Sequence, residues 1–212
     1  MSYSSDVKNE LARLEGQKPC CEKAELVGVL RMSGALVLRG KHIGIHFSTE
    51  NAALARRVLQ VLKTNYQVQT EVVITRSRRL KKNNRYQVEV LPDSRVAEAL
   101  RELQILPSEE AAKSKLLGRA CCRKAFLRGV FMAGGSVSRP SGDYHMEIVT
   151  ENEELARLIS KSDMVRHDPQ KLAQAIMSLA YRLRLFGRGF IFFDYLFMRH
   201  NMRKIGKMLG KK

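Results

Sequence analysis

Two stretches of this chain, a fixed 101 residues apart, carry the same residues in the same order, and that repeat limits the fold more than any other feature. Shifting by 101 places Cys20, Cys21, Lys23, Ala24, Leu26, Gly28 and Val29 on Cys121, Cys122, Lys124, Ala125, Leu127, Gly129 and Val130 without a gap. The same offset maps Gly34 onto Gly135, Thr49-Glu50-Asn51 onto Thr150-Glu151-Asn152, and Leu54-Ala55-Arg56 onto Leu155-Ala156-Arg157. Residues 20–58 match 121–159 at 14 of 39 positions, far above chance, so one structural unit is present twice. Copies that bury the same face pair most simply with each other. The small residues at Gly28 and Gly129 are therefore expected to let two helices meet backbone to backbone about a pseudo-two-fold axis.

Hydrophobic periodicity gives the unit as helix, hairpin, helix. Residues 21–33 set Leu26, Val29, Leu30 and Ser33 near one face, and Gly34 suits the helix end. Residues 35–38 and 42–48 form strands around the turn at 39–41. Ile43, Ile45 and Phe47 alternate on one face, against His42, Gly44, His46 and Ser48 on the other. Thr49, with Glu50 and Asn51, opens a second helix whose apolar stripe is Leu54, Val58, Val61 and Leu62. A second hairpin, 70–76 and 86–91, and a helix over 94–104 complete the first copy as αββαββα. The fold class is α+β, a duplicated αββαββα unit. Residues 1–107 form the first half, 108–161 a partial second half entered through a linker at 108–114, and 162–212 a mostly helical basic tail.

The resemblance rests on the phrases CCEKAELVGVLRMSGAL, TENAALARR, RLKKNNRYQVEV and CCRKAFLRGVFMAGGSV. The segments 26–34 and 127–135 resemble degenerate LAGLIDADG helices of homing endonucleases. More closely, residues 2–161 resemble the WhiA family of Gram-positive bacteria. That resemblance implies a DNA-binding protein with a duplicated endonuclease-like domain and, ordinarily, a C-terminal helix-turn-helix. It also implies a role in sporulation transcription, or in cell division and chromosome segregation, with other regulators or division proteins as possible partners. In LAGLIDADG enzymes an acidic residue just before the last glycine of each motif holds the catalytic metal ions. Ser33 and Gly134 stand there in this chain. A hydroxyl and a glycine cannot supply the anionic oxygen ligands of two-metal chemistry, so no catalytic residue and no enzyme activity are expected. Glu50 and Glu151, an alternative acidic pair, fit better in the first turn of a helix, where the dipole favours carboxylates.

Charge supports a polyanionic partner. With 38 Lys+Arg against 21 Asp+Glu the chain carries +17, which suits double-stranded DNA or an anionic membrane surface. No apolar run is long enough for stable membrane insertion, and the polar N-terminus does not read as a signal peptide. A cytoplasmic, nucleoid-associated protein with reduced thiols is expected. In the endonuclease scaffold the polar sheet face lies on DNA. The candidate DNA-binding residues are thus Arg39, Lys41, His42 and His46, with the basic run Arg76, Arg78, Arg79, Lys81, Lys82 and Arg85, where 76–85 holds six cations and no acid. A solvated basic turn is the plain alternative for any one of them. His42 and His46 make at most half a metal site. The vicinal pairs Cys20-Cys21 and Cys121-Cys122 lack the spacing at which zinc ligands converge, and read instead as small buried residues near helix starts. No metal and no cofactor are assigned.

The tail departs from the family pattern after Lys161. It holds a helical stripe of Leu172, Ile176, Leu179 and Leu183 behind Asp168-Pro169, an aromatic run at 190–198, and 11 Lys+Arg against three acids. It is either a divergent substitute for the missing domain or a frameshifted product. The abrupt end inside a repeat favours the second, and an unpacked 190–198 run would invite aggregation. Beside the DNA-binding regulator, two readings stay open: a LAGLIDADG-type nuclease, and a membrane or protein-interaction module acting through the tail.

Overall fold

The computed structural model describes residues 2–15, 17–76, 84–106, 116–138, 146–161 and 196–197. A helix absent from the sequence reading comes first. In α1 (Tyr3–Ala12) the Ser2 side chain accepts from the Ser5 amide, and Val7 and Leu11 are fully buried. The first copy follows as α2 (Pro19–Ser33), β1 (Gly34–Arg39), β2 (His42–Thr49), α3 (Ala52–Tyr66), β3 (Thr70–Arg76), β4 (Asn84–Val90) and α4 (Ser94–Glu102). This is the αββαββα order expected from periodicity. Its strands form an antiparallel sheet in the order β1-β2-β4-β3. The second copy contributes α5 (Ala120–Gly134), β5 (Gly135–Val137), β6 (Met146–Ile148) and α6 (Glu153–Lys161).

The axial pair α2 and α5 holds the molecule together. Residues 24–30 and 125–132 are buried without a break, as happens when a helix is enclosed on every side. A Cβ on Gly28 would stand inside the contact shell of the Phe126 carbonyl oxygen, and one on Gly129 inside that of the Glu25 carbonyl oxygen. The two backbones therefore touch, and the glycines are there because nothing larger fits. Cysteines meet at the N-terminal ends of these helices, while Met32 meets Gly134 at the C-terminal ends. The helices run side by side in one direction, with corresponding ends together.

A buried ion network crosses the same interface. Glu25, 2% exposed, accepts from Arg57 Nε of α3 at 3.0 Å and from Arg128 Nε of α5 at 2.6 Å. Gln17 bonds both Glu25 and Arg128, and Glu22 lies 3.3 Å from Arg57. The 101-residue counterparts of Glu25, Arg57 and Arg128 are Phe126, Leu158 and Val27. The network is thus confined to one side of the pseudo-axis and apolar packing takes its place on the other.

Helix boundaries repeat between copies with small corrections to the sequence reading. Asn51 Oδ1 accepts from Leu54 N at 2.9 Å, and Asn152 Oδ1 from Leu155 N at 2.9 Å. The Asn caps each helix, while Thr49 and Thr150 brace the Asn amides from two residues upstream. Glu50 and Glu151 consequently lie before the caps rather than in the first helical turn. Gly34 ends α2 in an extended conformation (φ −85°), not a left-handed one, and its value there is room beside the Leu30 carbonyl. Within the aromatic run at 190–198, Leu196–Phe197 forms β7 and pairs with β6, in the seat β4 holds beside β2 but parallel rather than antiparallel. The helical stripe from Asp168 to Leu183 lies outside the described residues.

Two measurements check this interface. Gly28→Ala and Gly129→Ala each press a methyl against backbone and should lower unfolding free energy by about 1–3 kcal/mol. Gly134→Ala meets only the flexible end of Met32 and should cost under about 1 kcal/mol, so urea midpoints should separate the first two from the third. Glu25→Ala leaves the buried Arg128 without a carboxylate and Arg57 with Glu22 alone, and should cost about 3–5 kcal/mol by the same assay.

Candidate nucleic-acid interface

Strand pairing decides which of the candidate residues share a surface. The row Ile45, Phe47, Val88 and Val90 is buried against the helices, and register carries that face to Val72 and Ile74. The opposite face is fixed by the pairs Arg39↔His42, Ala35↔His46, His46↔Glu89 and Thr75↔Arg85. Arg39, His42, His46 and Arg85 therefore stand together on the face turned away from the helices. Arg76 does not. It pairs with Asn84 in the row of Ile74 and Tyr86, so it belongs to the helix side of the sheet. Arg78, Arg79, Lys81 and Lys82 lie outside the described residues.

The basic groups sit at two ends rather than along one rim. Because β4 runs antiparallel to β2, its start lies beside Thr49, while the turn bearing Arg39 and Lys41 lies at the far end of β2. The eight residues of β2 put these ends roughly 25 Å apart. Between them the open face carries Glu89 directly opposite Glu71. The sequence reading omitted these acids, although strand alternation placed them on the same face as His46. The middle of the face thus repels phosphate while both ends attract it.

At the strand ends beside Thr49, an open polar groove of about 1160 Å³ is lined by Ser4, Lys8, Arg76, Arg85, Tyr86 and Met132, among others. Lys8 lies 5.9 Å from the Phe131 ring centroid, and burial lowers its pKa from the ordinary lysine value. This groove reaches the C-terminal end of α5. Ser33 and Gly134 are the last residues of α2 and α5, and the Met32 side chain fills the space where a Gly134 side chain would begin. Among the described residues, no group of His, Cys, Asp and Glu able to hold a metal ion forms there.

Among the described residues one such group forms elsewhere, and the burial of its cysteines differs from the sequence expectation. The axis brings the two vicinal pairs together, and the four Sγ atoms of Cys20, Cys21, Cys121 and Cys122 lie within 4.8 Å of one another. Cys21 and Cys122 are buried as expected, whereas Cys121 is exposed and Cys20 half-buried. Burial pushes the Cys21 thiol up to about 11 and the Cys122 thiol to about 12. The offset of 101 combined with pairing across an axis was the signal in the sequence. His42 and His46 belong to no such cluster among the described residues.

Paired αββα units joined through glycine-bearing axial helices define a LAGLIDADG-like protein, and solved structures agree. The N-terminal LAGLIDADG domain of WhiA aligns with a TM-score of 0.61 at 19% identity, covering 96% of both chains. Full-length WhiA from Thermatoga maritima aligns at 0.55 and 17% identity, covering 99% of this chain and 72% of the other. Residues 19–106 match the family described as the WhiA N-terminal LAGLIDADG-like domain, and 123–184 match the WhiA LAGLIDADG-like domain. The chain belongs to the WhiA family. Among curated relatives, the probable cell division protein WhiA of Alkaliphilus metalliredigens is 43% identical over 164 residues, which is 74% of this chain and 52% of that one. The protein of the same description from Bacillus cytotoxicus is 40% identical over 173 residues, 77% and 54% of the two chains. This chain spans about half the length of the curated relatives it matches. The second family match runs on past Lys161, to residue 184.

Proposed function

We propose that this chain is a non-catalytic regulator that binds double-stranded DNA through the open face of its four-stranded sheet, in a WhiA-type role in cell division, chromosome segregation or sporulation transcription. The observation that carries the reading is the register that aligns Arg39, His42, His46 and Arg85 on one face, with cations at both ends of the strands. Ends of like sign roughly 25 Å apart suit contact with phosphates on either side of a groove, and Glu71 and Glu89 keep the middle of the face off the backbone. The net charge of +17 adds long-range attraction. Such contacts position a protein on DNA without reading much sequence, so other regulators or division proteins are natural partners in selecting sites. At the ends of the axial helices a hydroxyl, a glycine and a methionine stand where hydrolysis would need carboxylates.

Two experiments check this. Binding to unrelated duplexes should weaken as salt rises, and Arg39→Ala with Lys41→Ala should reduce the log–log salt slope by up to about two, similarly on every duplex. Adding Arg85→Ala should remove about one more. An unchanged slope in the triple variant would exclude the sheet face. Purified protein should leave plasmid DNA intact in magnesium or manganese. Nicking that persists through repurification and disappears on replacing a single carboxylate would establish a nuclease instead.

A further inference from the structure

The geometry points to a thiolate metal site, suited to zinc, formed by Cys20, Cys21, Cys121 and Cys122 where the N-terminal ends of α2 and α5 meet. Zinc binds four cysteine sulfurs at about 2.3 Å in a tetrahedron, whose edges are then about 3.8 Å. The Sγ atoms of Cys121 and Cys122 are already 3.9 Å apart, and no pair of the four exceeds 4.8 Å. Closing onto an ion requires movements of about 1 Å or less. Spacing rules drawn from ligands on one loop do not apply, because here each helix supplies two adjacent sulfurs and the pseudo-axis brings the pairs face to face.

The surroundings suit the charge. Four thiolates around a divalent ion carry a net of minus two. Cys20, Cys21, Cys121 and Cys122 all lie in the first turns of fifteen-residue helices, where the dipoles favour anionic sulfur. Arg119, the residue that precedes α5, places Nη1 3.9 Å from Cys20 Sγ. Cys21 and Cys122 form the buried floor of the cluster, and the exposed Cys121 leaves a way in for the ion. Bound there, zinc ties the two copies together at the end of the interface opposite Gly134. The ion exchanges ligands and protons without redox chemistry, so no oxidant is required.

The full chain, expressed in zinc-supplemented medium and purified anaerobically under reducing conditions without chelator, should contain about one zinc per chain by elemental mass spectrometry. Cobalt titrated into the metal-free protein should give the intense visible bands of tetrahedral thiolate coordination, displaced by zinc. Cys20→Ser and Cys121→Ser spare the buried pair. With circular dichroism unchanged, each should weaken zinc binding more than about tenfold. Chelation should lower the melting temperature of the parent protein. Three outcomes would each overturn the proposal: thiols that react with a disulfide reagent equally fast with and without zinc, octahedral cobalt spectra, or zinc retained at full affinity in both variants. A cross-copy disulfide found by non-reducing mass spectrometry in place of bound metal would overturn it as well.

Discussion

Everything else in this protein depends on two helices touching through their backbones. At Gly28 and Gly129 a carbonyl oxygen of each helix occupies the space a methyl group on the other would need. Contact that close leaves little freedom to slide or rotate, because any shift drives a neighbouring side chain into main chain. The relative placement of the two copies follows. So does the meeting of corresponding helix ends, which puts sulfur beside sulfur at one end and Met32 beside Gly134 at the other. The sheet faces are set in turn by this frame, since β1 and β5 each start directly from an axial helix with no intervening loop.

Duplication about an axis also creates a difficulty that the sequence resolves by divergence. A charged residue near the axis would meet a copy of itself, and two buried like charges are costly. Glu25 avoids this because its counterpart is Phe126, and it meets Arg128, whose own counterpart is Val27. Arg57, facing the same carboxylate, has Leu158 as its counterpart. The interface is thus heterologous in chemistry while pseudo-symmetric in backbone. Such a network is a weak source of net stability but a strong source of register, since only one pairing of the copies satisfies every buried charge. Where no charge is involved, identity persists: the Asn51 and Asn152 caps make the same bond at the same length.

What the sequence disclosed was what local rules encode. Period-two and period-3.6 patterns located the strands and helices of the first copy, and the identical Thr-Glu-Asn triplets located two helix starts to within a residue or two. Relations between distant segments were harder. The helix α1 buries few residues, too short a pattern to stand out in a polar stretch. The Glu25–Arg128 pair joins residues 103 positions apart and leaves no periodic trace. Arg76 and Arg85 look equivalent in a basic run, yet strand parity sends them to opposite faces. The cysteines show the limit most clearly, because the two pairs, 101 positions apart, bring their four Sγ atoms within 4.8 Å of one another only when the repeat is folded back on itself.

The two ends of the axial pair are chemical opposites, and that contrast bears on how such a scaffold can change its use. A LAGLIDADG-like axis brings corresponding helix ends together, so a donor kept in both copies is presented twice in one place. Hard divalent ions need anionic oxygen, and at the C-terminal end this chain offers Ser33 and Gly134 with the soft thioether of Met32 between them. At the N-terminal end it offers four sulfurs held by helix termini. Removing carboxylates from one end abolishes a hydrolytic site without touching Gly28, Gly129 or the sheet, because none of these depends on a metal there. The frame of the molecule is therefore independent of which donors stand at the two ends of the axis.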